Sequence, residues 1–239
     1  TRIFLIESLF VTPSDLPPPK AILYDWDNTL VDTWPVIHGA MNGLFRKMGM
    51  PEWTLAETRN RVRHSMRDAF PIMFGDRWEE ARDIFYAEFE AIHMQALVAA
   101  PGAASLLHAV QARGIPQAVI SNKQGRYLRK EAAHLGWDVY FHALVGAGDA
   151  ARDKPSSEPV AMALQGLRDA SGDLQPGPDV YFIGDSGVDM QIAHATGMTP
   201  ILIHADPDLD GEYADCRPAR IFGHLDALHA FLATDRSYI

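Results

Sequence analysis

The chain has 239 residues, 47% hydrophobic and 22% charged, with a formal net charge of −10. This is globular composition, enough for a core domain carrying one sizeable insertion, and the acidity argues against a nucleic-acid partner. Cys216 is the only cysteine, which excludes an intrachain disulfide and a cysteine-based zinc site and points to a reducing, cytoplasmic setting. In chain order, TRIFLIESLFV (1–11) is apolar but broken by Glu7, too short to span a bilayer and without a cleavage signature. It reads as an arm, followed by a Pro-rich linker through residue 20. AILY (21–24) predicts a short buried strand. From Thr33 to about Ala100 no strand is predicted. Trp34, Ile37, Met41, Leu44, Phe45 and Met48 recur at helical spacing, TLAE (54–57) has the form of a capping box, and 77–97 is again helical in pattern. Further strands are predicted at 116–120, 143–145, 180–183 and 200–203. Between and after them, helices are predicted at 102–114, 126–136, 158–170, 188–197 and 224–233, with Gly114, Gly136 and Gly197 as candidate C-caps. Short apolar strands alternating with helices predict a doubly wound parallel sheet.

Ligands bind outside the carboxyl ends of strands in such sheets. There the chain places Asp25 and Asp27 after the first strand, Ser121-Asn122-Lys123 after the second, Lys154 beyond the third, and Asp185, Ser186 and Asp189 after the fourth. Residues i and i+2 share a side, so Asp25 and Asp27 face one volume, joined by Asp185 and Asp189. Clustered carboxylates repel one another, and a hard divalent cation, Mg2+ first, removes the conflict. Lys154 and the Ser121 hydroxyl suit phosphate oxygens. A lone Asp after a strand is more often a turn or a helix cap. Four such features in order on one edge are much harder to explain that way.

With these residues in hand, the sequence resembles the haloacid dehalogenase superfamily, and within it the small-substrate phosphatases similar to phosphoglycolate phosphatase. DWDNT (25–29) looks like the first family motif, Ser121 in VISN the second, Lys154 the third and GDSGVD (184–189) the fourth. Asn28 stands where the family often has Gly, a position where Asn tolerates left-handed backbone. The resemblance implies a Rossmann-like core, 21–32 and 101–239, with a helical cap inserted at 33–100 and residues 1–20 outside both. It also implies a phosphatase mechanism. Asp25 is the nucleophile and Asp27 the general acid and base. Asp25, Asp185 and the backbone carbonyl of Asp27 hold Mg2+, with Asp189 in support, and Thr29, Ser121, Asn122 and Lys154 position the phosphoryl group.

The implied partner is a small organic phosphate, with no nucleic acid and no membrane, on a monomer or homodimer. Hinges are expected at Leu30–Thr33 and Ala99–Gly102. Arg59, Arg63 and Arg67 form a basic stripe at i, i+4, i+8, read as a solvated face more readily than as a substrate contact. A sugar-phosphate mutase on the same site and a non-catalytic binding protein of the same fold are the alternatives. GDSG also resembles the nucleophile stretch of trypsin-like proteases, but those are all-β and disulfide-stapled, unlike this chain.

Overall fold

The sheet grows outward from a strand of four fully buried residues. The computed structural model describes residues 16–62 and 66–234; the arm expected at 1–11 and Arg63 lie outside the described residues. β1 (Ala21–Tyr24) sits at the centre of a six-stranded, all-parallel sheet. β4 (Gln117–Gln124) and β5 (Ala143–Ala147) lie on one side of it. β8 (Val180–Gly184), β9 (Thr199–Ile203) and β10 (Arg220–Phe222) lie on the other, giving the order β10-β9-β8-β1-β4-β5. Pairing runs outward in both directions from β1, which makes the gap beside it a topological switch point.

Alternation along the strands splits the core in two. Ile22, Tyr24, Val119, Tyr181 and Ile183 face α5 (Ala103–Ala112), α6 (Gly125–His134) and α9 (Leu225–Thr234). Ala21, Leu23, Ala118, Ile120, Val180 and Phe182 face α7 (Glu158–Leu164) and α8 (Gly187–Ala195). Burial on both faces is why these strands read as unbroken apolar runs rather than alternating ones.

Between β1 and α5 the described residues form four α-helices, α1 (Trp34–Met48), α2 (Leu55–Arg61), α3 (Met66–Phe74) and α4 (Trp78–Ile92). They have their own core of Met41, Leu44, Phe45, Phe70, Phe85 and Phe89, which Tyr127 of α6 also enters. The box expected at 54–57 is formed: Thr54 N donates to Glu57 Oε2 at 2.8 Å, and Glu57 N to Thr54 Oγ1 at 3.2 Å. Gly114, Gly136 and Gly197 follow their helices with φ of +71°, +68° and +70°.

Four features depart from the sequence reading, the first being that the helical pattern at 77–97 ends as a helix at Ile92. Two short strands, β2 (Val31–Asp32) and β3 (Val98–Ala99), pair antiparallel where the chain leaves and rejoins the sheet; at two residues each they are too short to carry a periodic signal. The helix predicted at 158–170 stops at Leu164, its last core contact. Gly166 takes a φ of +83°, and β6 (Arg168–Asp169) and β7 (Gly172–Asp173) form a small hairpin whose turn Asp169 ties by accepting from Ser171 N at 2.7 Å. β10 was not predicted because Ile221, its central residue, is exposed. Among the described residues no helix is long and apolar enough to cross a membrane.

Candidate active site

The register of the sheet decides what meets at its edge. Tyr24 pairs with Val119 on one side and Ile183 on the other, so the residues that follow the three strands emerge together. Asp25 N donates to Ile183 O at 2.8 Å and continues the ladder one step past β1. The chain then turns at Asn28, whose φ is +61°. Its side-chain oxygen accepts from Thr33 N at 3.2 Å and caps the approach to α1. Asn therefore fills the position where Gly was the expected family residue, and adds a hydrogen bond that Gly lacks.

Asp25, Asp185 and Asp189 each present a carboxylate oxygen within 4.8 Å of the others. Lys154 Nζ donates to Asp25 Oδ1 at 2.5 Å and to Asp189 Oδ1 at 2.7 Å, with the lysine 4% exposed. Thr29 Oγ1 donates to Asp185 Oδ1 at 3.3 Å. Asp189 also accepts from Ser186 N at 3.1 Å and Ser186 Oγ at 2.7 Å through its second oxygen. It is a helix cap and a member of the acidic group at once. Gly184 makes this possible, since a Cβ there would stand 2.3 Å from Asp189 Cγ.

Burial pushes the Asp25 carboxyl up to about 7; the Lys154 ammonium pulls against it, and Asp189 and Asp27 add to it. Burial and the charges of Asp189 and Asp25 hold Asp185 well above the usual carboxylate range. Burial opposes the charge on Lys154, but Asp189 and Asp25 outweigh it and raise the ammonium's pKa. Three crowded carboxylates facing one ammonium form an oxygen donor set that suits a hard divalent cation, which would relieve both the burial and the repulsion.

The Asp27 carboxylate is not part of this group. Its Oδ1 lies 2.7 Å from Lys123 Nζ, and its side chain keeps 20% exposure. Ser121 Oγ accepts from Lys123 N at 3.0 Å, and Asn122 Nδ2 donates to Lys154 O at 3.2 Å. Asp25, Asp27, Ser121, Asn122, Lys154 and Asp185 all line one cleft of about 740 Å³ between the sheet edge and the helical insert. Thr29 and Asp189 support it from behind, at 1% exposure each.

Of the basic stripe, Arg59 reaches the cleft, its guanidinium 5.9 Å from the Trp34 ring. Arg67 turns instead to the core, where its Nε donates to Asp153 Oδ2 at 3.0 Å. The sequence reading placed Lys123 at the strand end without giving it a role, and it missed Glu131. Lys123 had a signal, its place directly after Ser121-Asn122. Glu131 falls on the buried face of α6 with Tyr127, Leu128 and Ala132, a placement that only the packed helix reveals.

Comparison with known proteins agrees with the motif reading. The pattern of the family described as haloacid dehalogenase-like hydrolase matches residues 22–203, and the chain belongs to that family. A phosphoglycolate phosphatase from Rhodobacter capsulatus is 28% identical over 193 residues, 78% of this chain and 84% of that protein. A solved haloacid dehalogenase-superfamily hydrolase from Ehrlichia chaffeensis is 28% identical, with a TM-score of 0.61 over 91% of this chain and 98% of the other. A haloacid dehalogenase-like family protein from Streptococcus pneumoniae shares the fold at 23% identity, with a TM-score of 0.75 over 89% of this chain and 98% of that one.

Proposed function

We propose that the chain is a Mg2+-dependent phosphatase that hydrolyses a small organic phosphate monoester through an aspartyl-phosphate on Asp25. The observation that supports this reading is the arrangement at one sheet edge: three carboxylates grouped beside Lys154, and the Asp27 carboxylate held apart from them against Lys123.

Asp25, Asp185 and the main-chain carbonyl of Asp27 would hold the cation, with Asp189 in support. When bound, Mg2+ supplies positive charge at the phosphoryl oxygens. Asp25 attacks phosphorus while the bond to the leaving alcohol breaks, and a proton on Asp27 passes to the departing oxygen. Asp27, now a carboxylate, takes a proton from water as the water oxygen bonds to phosphorus and the bond to Asp25 breaks. Lys154, Ser121 and Asn122 orient the phosphoryl oxygens, and Thr29 orients Asp185. The helical segment 33–100 acts as a cap over the core, 21–32 and 101–239, with residues 1–20 outside both. Because relatives carry the name phosphoglycolate phosphatase, 2-phosphoglycolate is the first substrate to test.

The wild-type chain should release phosphate from p-nitrophenyl phosphate or 2-phosphoglycolate when Mg2+ is present and stop when it is chelated. Asp25→Asn should fold and lose essentially all turnover. Full activity in Asp25→Asn, or silence of the wild type on a panel of small phosphoesters, would reject the assignment.

A further inference from the structure

Behind Asp27 lies a buried polar cluster that the mechanism above does not use. Glu131, on α6 and 1% exposed, sits at its centre. Lys123 Nζ donates to Glu131 Oε2 at 2.5 Å, and Trp26 Nε1 donates to the same oxygen at 2.8 Å. His93 Nδ1 lies 3.0 Å from Glu131 Oε1. Lys123 Nζ then reaches Asp27 Oδ1 at 2.7 Å, and it stands 5.6 Å from the centre of the Phe89 ring. Trp26 and His93 are 0% and 1% exposed, and Lys123 is 9% exposed.

The cluster joins three parts of the fold. Trp26 is the residue between the two motif aspartates, and its side chain points into the body while theirs face the cleft. Lys123 ends β4, two residues beyond Ser121. His93 follows α4 and belongs to the helical insert. One carboxylate therefore grips the Asp25-Trp26-Asp27 stretch by two routes, through the indole of Trp26 and through the ammonium that touches Asp27.

A purely structural tie between a helix and a strand end is better made of apolar side chains, because desolvating an ion pair costs about as much as the pair returns. This cluster is costlier still, since His93 Nε2 is buried with no hydrogen-bond partner. Its geometry has a specific product. Oδ1 of Asp27 is buried against Lys123, while the side chain keeps 20% exposure, so the open part of the carboxylate is the other oxygen, turned to the cleft.

We propose that Glu131, braced by Trp26 and His93, is a positioning residue that locks Lys123 against one oxygen of Asp27 and aims the other at the leaving group. This rests on the acid role given to Asp27 above, and the test separates the two claims. A misaimed acid matters for an alcohol that must be protonated as it departs and hardly for p-nitrophenolate, which leaves unaided. Glu131→Gln keeps the shape and a hydrogen-bonding oxygen. Under single-turnover conditions with Mg2+, it should slow cleavage of 2-phosphoglycolate about tenfold or more, yet slow release of p-nitrophenolate less than about threefold, with KM little changed. Trp26→Phe, which removes one brace and keeps an aromatic ring, should show the same leaving-group pattern at smaller size. It serves as the second variant if Glu131→Gln does not fold. Equal losses on both substrates, or none, in a variant with native circular dichroism would overturn the inference. Asp27→Asn run alongside should show the pattern at full strength; if it does not, the acid role itself fails.

Discussion

At the scale of single residues, the site crowds buried carboxylates whose charge a bound cation would relieve. The Asp25 pKa stands at about 7 and that of Asp185 well above the ordinary carboxylate range, with burial as the main cause for both. The folded, metal-free protein therefore holds protons on these groups that the unfolded chain gives up. Their contribution to stability is intact below the unfolded carboxylate range and is lost as pH rises toward and through about 7. Mg2+ should accordingly raise Tm more at pH 8 than at pH 5, read by thermal melts with Mg2+ against chelator; an equal rise at both would contradict the burial argument. Lys154→Met, which leaves Asp25 and Asp189 buried without their cation, should cost about 3 kcal/mol in metal-free urea denaturation. Gly184→Ala should weaken Mg2+ binding while the fold persists, because its Cβ collides with Asp189 rather than with the sheet. Most of these residues were legible in sequence, since short motifs at strand ends leave few ways to arrange them. Glu131 was not, because a single acid within a helical pattern looks the same whether its partner is solvent or a lysine from a strand 8 residues away in sequence.

At the scale of elements, periodicity located nearly every helix and central strand, and it failed where an element is short or its burial one-sided. The helix at 158–164 was overextended because Leu167, Arg168 and Ala170 continue a helical pattern that Gly166 interrupts with its positive φ. A two-residue strand such as β3 has no period to read. The basic stripe on the insert was read as one surface, yet Arg67 is committed to Asp153, whose side chain is only 2% exposed and which also accepts from Gly148 N at 3.0 Å. Asp153 immediately precedes Lys154, so α3 is tied to the loop that delivers the lysine. Arg67→Ala should lower kcat/KM through a looser cap and cost about 1 kcal/mol, a modest figure because the arginine is 47% exposed. Steady-state kinetics and urea denaturation would check it. A variant indistinguishable from wild type in both would show that the tie is idle. Where β5 passes α6 no such tolerance exists. A Cβ on Gly146 would fall 2.4 Å from Gly125 Cα, so Gly146→Ala should destabilise by about 2 kcal/mol, read by the same denaturation curves.

At the scale of the whole molecule, strand order makes the site. A parallel sheet wound both ways from β1 brings β4 and β8 beside it, and three segments far apart in sequence end within one small volume. That was inferable because parallel strands point their carboxyl ends the same way. A helical insert over that edge was expected as well, but not the side chains that fasten it: His93 meets Glu131, and Glu90 accepts from Tyr127 Oη at 2.5 Å. The antiparallel pair β2–β3 has one more consequence. Asp32 and Val98 are register partners, and Ala100 N donates to Leu30 O at 2.9 Å, so the two crossings of the chain are already stitched together before the helices begin. In physical terms this seam is a clamp: main-chain hydrogen bonds hold the two crossings together whatever side chains the helices between them carry.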